Sequence, residues 1–91
     1  MLKRIHVFVA GRVQGVAFRW ITEDVAHQLG VIGWVRNLQD GRVEVLAEGE
    51  EKTLKEFIEF LKRGPRHAKV KNIDIDWLDP TGEFKTFDIR F

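Results

Sequence analysis

The period of the hydrophobic pattern switches four times along this chain, and that alternation limits the folds open to it. Residues 3–11, "KRIHVFVAG", set Ile5, Val7 and Val9 against His6, Phe8 and Ala10, a period of two that reads as a strand. Both faces are fairly apolar, which places this strand inside a sheet rather than at its edge. Over 18–30, "FRWITEDVAHQLG", the spacing becomes helical, with Phe18, Ile21, Val25 and Leu29 as the apolar stripe and Gly30 as the stop. Trp20 lies off that stripe. Period two returns over 31–38 and again over 42–49. Between those runs Asp40-Gly41 predicts a type I′ hairpin turn, which needs positive φ at both central residues. A second helix follows over 50–63, with Leu54, Phe57, Ile58 and Leu61 on one side. Phe60 falls outside that stripe. The pairs Glu51–Lys55 and Glu59–Arg63 support the helix at i,i+4 spacing, and Gly64-Pro65 closes it. Residues 69–78 and 84–91 resume the strand pattern around a turn at "DPTGE".

The order is therefore β-α-β-β-α-β with an extra C-terminal strand. This is an α+β, ferredoxin-like sandwich, with two helices on one face of an antiparallel sheet. A chain of 91 residues makes a single domain, 1–91, with one modest core. Such a fold hosts many activities and selects none of them.

The composition removes several chemistries. There is no cysteine, so disulfides, thiolate nucleophiles and thiolate metal ligands are out. There is no serine, which excludes a Ser-His-Asp triad. No stretch matches the G-x-x-x-x-G-K-[ST] phosphate loop. His6, His27 and His67 lie far apart, without the spacing of a helical zinc pair. The net charge of +1 gives no global field toward nucleic acid or membrane, so any anion site must be built locally. The N-terminus lacks the apolar run of a signal peptide, and no segment approaches a membrane span. A cytoplasmic protein is the default expectation. Asp74 and Asp76 share one face of a strand and read as a solvated face. "RGPRHAKVK", 63–71, concentrates basic residues at a helix end. An RNA-binding sheet of this topology would stack bases on aromatics of its central strands, and "RVEVLAE" offers none.

Two stretches carry the remaining chemistry. In "GRVQGVAFR", 11–19, a strand passes through two glycines into a helix that has an arginine in its first turn. Glycines let loop N–H groups converge on an anion at a helix N-terminus, and an arginine fork matches phosphate oxygens. Spacing alone also permits a plain strand-to-helix turn in which Arg19 pairs with Glu23. In "GWVRN", 33–37, Asn37 ends the apolar face shared by Val31, Gly33 and Val35. Turn chemistry alone would account for an asparagine there.

Together these stretches resemble the two signatures of the acylphosphatase family, and "FDIRF" at the C-terminus is similar to that family's last strand. The resemblance covers the whole chain. It implies hydrolysis of the carboxyl-phosphate bond of a small-molecule acyl phosphate, giving a carboxylate and inorganic phosphate. It assigns phosphate binding to the backbone of Gln14, Gly15, Val16, Ala17, Phe18 and Arg19 and to the Arg19 side chain, so phosphate or sulfate is the anion expected there. It assigns water orientation to Asn37. It implies no cofactor and no metal, and with the charge and hydropathy above no nucleic acid, no membrane and no obligate protein partner is expected. A non-enzymatic anion sensor would need the same loop and Arg19, but not Asn37.

Overall fold

The computed structural model describes residues 1–91 as β1 (Leu2–Arg12), α1 (Phe18–Leu29), β2 (Ile32–Asn37), β3 (Val43–Glu50), α2 (Glu51–Arg63), β4 (Lys69–Leu78) and β5 (Phe87–Arg90). The strands form one sheet in the order β4-β1-β3-β2-β5. β1 pairs antiparallel with β3 on one side and β4 on the other, so it is interior, as its two apolar faces require. β2 pairs antiparallel with β3. β5 adds beside β2 in parallel, which makes the sheet mixed. No helix is long and apolar enough to cross a membrane.

The core lies between the sheet and the two helices. Ile5, Val7 and Val9 of β1 and Val43, Val45 and Ala47 of β3 are fully buried there, each beneath the helices by the two-residue period of its strand. Fully burying such a side chain contributes roughly 1.5–3 kcal/mol. From α2, Leu54, Phe57, Ile58 and Leu61 meet them as the helical spacing predicts. Phe60, off that stripe, is buried too and lies 6.4 Å from Phe18, centre to centre, so it joins the two helices. Phe57 meets Phe87 of β5 edge-on at 5.8 Å.

Four expectations are corrected by the structure. In α1 the fully buried residues are Phe18, Thr22 and Ala26, while Ile21, Val25 and Leu29 flank the core half-buried. Small residues at i+4 and i+8 from Phe18 let the helix backbone approach the sheet, and the bulky ones wedge at its sides. The hairpin between β2 and β3 is not type I′, because Gly41 alone takes positive φ. Asn37 pairs with Val43. The Leu38 N–H then donates to the Arg42 carbonyl at 2.8 Å and the Gly41 N–H to the Leu38 carbonyl at 3.2 Å, which closes a three-residue loop. On α2, Glu51 pairs with Lys55 as expected, but Glu59 pairs with Lys62 rather than Arg63.

The last strand is also shorter than its pattern, since β5 keeps only Phe87–Arg90, and the turn ahead of it is built on Glu48. Its side chain lies on the outer sheet face and is nearly buried. A buried carboxylate needs hydrogen bonds. Residues before β5 supply them: the N–H groups of Thr81 and Gly82 donate at 2.8 and 3.1 Å, and Arg4 Nε donates at 2.9 Å. Arg4 in turn pairs with Glu83 and covers the Phe84 ring. The chain between β4 and β5 is thus spent clasping Glu48. Beside it, Glu44 takes His6 Nε2 and Arg36 Nε, both at 2.6 Å.

The packing of β2 on β3 leaves no room at Gly33. Its φ is 139°, and a Cβ there would overlap the Leu46 carbonyl oxygen. Gly33→Ala should therefore lower stability by about 2 kcal/mol or more, read as a lower urea midpoint with an unchanged m-value. An unchanged midpoint would show that the two strands can part. Acid stability follows from the two clasped carboxylates. Burial alone would raise Glu48 and Glu44, but their hydrogen bonds from backbone, Arg4, His6 and Arg36 outweigh it and hold both below the ordinary value of 4.5. Their stabilisation is complete above that value and is lost as pH falls through the depressed range. Thermal midpoints should fall on acidification below about pH 4.5. Glu48→Gln should be less stable at pH 7, with the gap to wild type closing in acid. A gap independent of pH would disprove the role of this charge.

Candidate active site

The chain leaves β1 through a bulge at Ala10 and Gly11 on the β4 side. Two apolar anchors then frame a short loop. Val13 is fully buried and Phe18 nearly so, which pulls both ends of residues 14–17 into the protein and bows the segment between them. Gly15 takes φ 75°. Ala17, the N-cap of α1, is left-handed at φ 60° and ψ 24°, the only residue other than glycine with positive φ. For a residue with a Cβ this conformation costs roughly 1–2 kcal/mol, so the rest of the fold holds it in place.

The turn exposes backbone donors. Ala17 has no side chain to cap the helix, and the first helical bond runs from the Ile21 N–H to the Ala17 carbonyl at 3.1 Å. The N–H groups of residues 15–20 make no hydrogen bond in the protein. The first turn of α1 holds no acidic residue to offset the positive end of the helix dipole. The local field therefore favours an anion.

Arg19 reinforces that field. It forms no ion pair with Glu23. One Nη1 hydrogen goes to the Arg90 carbonyl at 3.3 Å, and the guanidinium lies 4.8 Å from the centre of the Phe91 ring. Both partners are uncharged, so they orient the side chain without neutralising it.

Asn37 faces the same space from β2. It ends the core-side face of that strand, beyond Gly33 and Val35, as its register requires. Its Oδ1 is buried without a hydrogen-bond partner. An unsatisfied buried amide oxygen costs about 1–3 kcal/mol, which a fold retains only under some other constraint.

A cleft of about 320 Å³ gathers Val13, Gln14, Gly15, Ala17, Phe18, Arg19, Trp20 and Asn37. Of the loop residues named from the sequence, only Val16 does not line the cleft, and it packs onto the edge of the core. Arg19 is the one charged side chain in the cleft. Wider hollows of about 550 and 540 Å³ lie where β1 begins, at the other end of the sheet, away from the unpaired N–H run and from Asn37. No histidine reaches the cleft. His6 is held by Glu44, His27 Nε2 lies 2.9 Å from the Phe87 carbonyl oxygen, and His67 is exposed. Nor do three metal-ligating side chains come together anywhere. Asp74 and Asp76 are exposed, as their alternation suggests.

Sequence reasoning misses two features of the site and leaves Trp20 open between the site, the core and another subunit. The Gln14 side chain, not only its backbone, takes part: Nε2 donates to the carbonyls of Leu38 at 2.8 Å and Arg42 at 2.9 Å. Trp20 is 57% exposed at the rim of the cleft and contributes nothing to the core. Arg90 and Phe91 hold Arg19. A polar residue next to the loop glycine is the one signal for Gln14, and the missing helical phase the signal for Trp20.

The model of the family described as Acylphosphatase matches residues 5–89. A protein named acylphosphatase from Roseiflexus sp. (strain RS-1) is 48% identical over 88 residues, 97% of this chain and 95% of its own length. Another of that name, from Pseudomonas paraeruginosa (strain DSM 24068 / PA7), is 54% identical over 78 residues, 86% of each chain. The crystal structure of acylphosphatase from Bacillus subtilis superposes with a TM-score of 0.94 at 40% identity and covers all of both chains. With a matching family model, close relatives along its whole length and the same backbone, this chain belongs to the acylphosphatase family.

Proposed function

We propose that this protein hydrolyses acyl phosphates by direct attack of water on phosphorus, with the phosphoryl group held by the backbone N–H groups of residues 14–19 and by Arg19, and the water oriented by Asn37. The observation that carries the reading is the convergence on one cleft of an unpaired N–H run, an arginine without a carboxylate partner and Asn37, whose Oδ1 has no partner in the protein.

The steps follow from these groups. Phosphoryl transfer relies on positioning and charge stabilisation more than on covalent help. The N–H groups and the Arg19 fork face the equatorial oxygens, where charge redistributes in the transition state. Asn37 presents an amide to the attacking water. The new P–O bond forms as the bond from phosphorus to the acyl oxygen breaks, and the electron pair leaves with the carboxylate. That leaving group is stable as an anion and needs no strong acid. The water proton passes to an oxygen of the phosphoryl group itself, in keeping with a cleft that no histidine lines. No step calls for a metal.

A pure anion sensor would explain the loop and Arg19 but would have no use for a half-buried asparagine at the cleft whose Oδ1 is left unpaired. The test is hydrolysis of an aromatic acyl phosphate, followed by its loss of absorbance without added metal. Arg19→Ala should lower kcat/KM by about 100-fold or more and weaken competitive inhibition by inorganic phosphate. Asn37→Ala should lower kcat by a similar factor while phosphate inhibition persists. Equal loss of phosphate inhibition in both would refute this division of roles. Wild-type protein that binds phosphate without turnover would make the site a sensor. Turnover should also show no dependence on a histidine: His6→Ala, His27→Ala and His67→Ala should each keep the wild-type pH profile. Loss of one limb of that profile in any of them would identify a general base or acid.

A further inference from the structure

The two halves of the site have no direct connection through the sheet. The N–H run follows β1, and Asn37 ends β2, but β3 lies between those strands. Pairing of β1 with β3 stops at Val9 and Val43, before the loop begins. Beyond that point only one side chain in residues 12–17 reaches across by hydrogen bonding, and it is Gln14.

We propose that Gln14 is a positioning residue that sets the separation between the phosphate cradle and Asn37 by clamping the β2–β3 hairpin through the Leu38 and Arg42 carbonyls. This inference rests on the function proposed above.

The geometry supports it at each end. Leu38 follows Asn37 directly, so a bond to its carbonyl holds the Leu38–Gln39 peptide unit, one residue beyond Asn37. Arg42 stands opposite Leu38, and its carbonyl already accepts the Leu38 N–H at 2.8 Å. The Gln14 carboxamide thus ties both strands of the hairpin at its mouth. The requirement is chemical as well as steric. Two carbonyls need two donors, and a carboxamide nitrogen carries two hydrogens. Glutamate has the same shape but no donor when ionised, and methionine fills the volume with none. At the other end, Gln14 is joined to buried Val13 and to Gly15, so the clamp acts on the loop whose N–H groups face the cleft. None of this involves contact with the substrate by the Gln14 side chain.

A double-mutant cycle tests the proposal, because a clamp that acts through Asn37 has nothing to act on once that amide is gone. The variants are Gln14→Met, Asn37→Ala and the pair, assayed for hydrolysis of an aromatic acyl phosphate and for competitive inhibition by inorganic phosphate. Gln14→Met should lower kcat by about ten-fold or more, the scale expected of a small misplacement. Phosphate inhibition should stay close to wild type, since the N–H groups and Arg19 remain. In the Asn37→Ala background the same substitution should have almost no effect on kcat. If Gln14→Met does not fold, Gln14→Leu, which is likewise uncharged and lacks the donor, runs the same cycle. Additive losses of kcat, or a parallel loss of phosphate inhibition, would overturn the proposal and leave Gln14 a general brace of the loop. Wild-type protein without turnover would overturn the functional reading and this inference together, whereas active wild type with an additive cycle removes only the latter.

Discussion

Burial of Val13 and Phe18 on either side of a four-residue loop is the constraint on which the site depends. Each side chain has an apolar place in the core, and the helix stripe cannot start later than Phe18. The segment between them is too short to relax into a regular turn with all its N–H groups paired. Gly15 and Ala17 absorb the bend at positive φ, and the donors face outward. Apolar packing, the dominant driving force of folding, thus sustains an arrangement of polar backbone that would not persist alone. The site is strained by the same contacts that make the domain stable.

The electrostatics follow from what the fold withholds. α1 begins without a capping side chain and without an acidic first turn. Arg19 meets a carbonyl and an aromatic ring but no carboxylate. The outer face of the sheet behaves in the opposite way: there Glu44 and Glu48 are saturated by His6, Arg36, Arg4 and two backbone donors. The protein satisfies its buried charges on the outer sheet face and leaves a run of backbone donors unpaired at the cleft. That contrast gives the cleft a local field that favours an anion.

Much of this is legible in the sequence, for reasons that differ by element. β1, β3 and α2 are clear because their periods are local and their buried residues are large. The α1 stripe is misplaced by its pattern because Thr22 and Ala26 are not the residues a hydrophobic period picks out, although their small size is what allows close approach. The Asp40-Gly41 turn reads as a two-residue loop, whereas the register of Asn37 with Val43 adds a third residue. The turn ahead of the final strand, at Thr81 and Gly82, is held by Glu48, a partner more than thirty positions earlier. Phe60 and Trp20 both fall outside their stripes, yet one is buried and the other lines the cleft, and periodicity cannot tell those outcomes apart.

By itself the sequence determined the order of elements, because that depends on spacings within about a dozen residues; Arg19 and Asn37 stand out only through the resemblance of the two short signatures to the acylphosphatase family. It also determined that Asn37 shares a strand face with Val35, since that needs only a period of two. The tertiary structure alone decided that β5 runs parallel to β2, that Glu48 draws in residues 81 and 82, that Arg19 leans on Arg90 and Phe91, and that Gln14 spans to Leu38 and Arg42. These are contacts between positions far apart in the chain. Their formation depends on how the sheet brings loop ends together, and neither propensity nor local pattern carries that information.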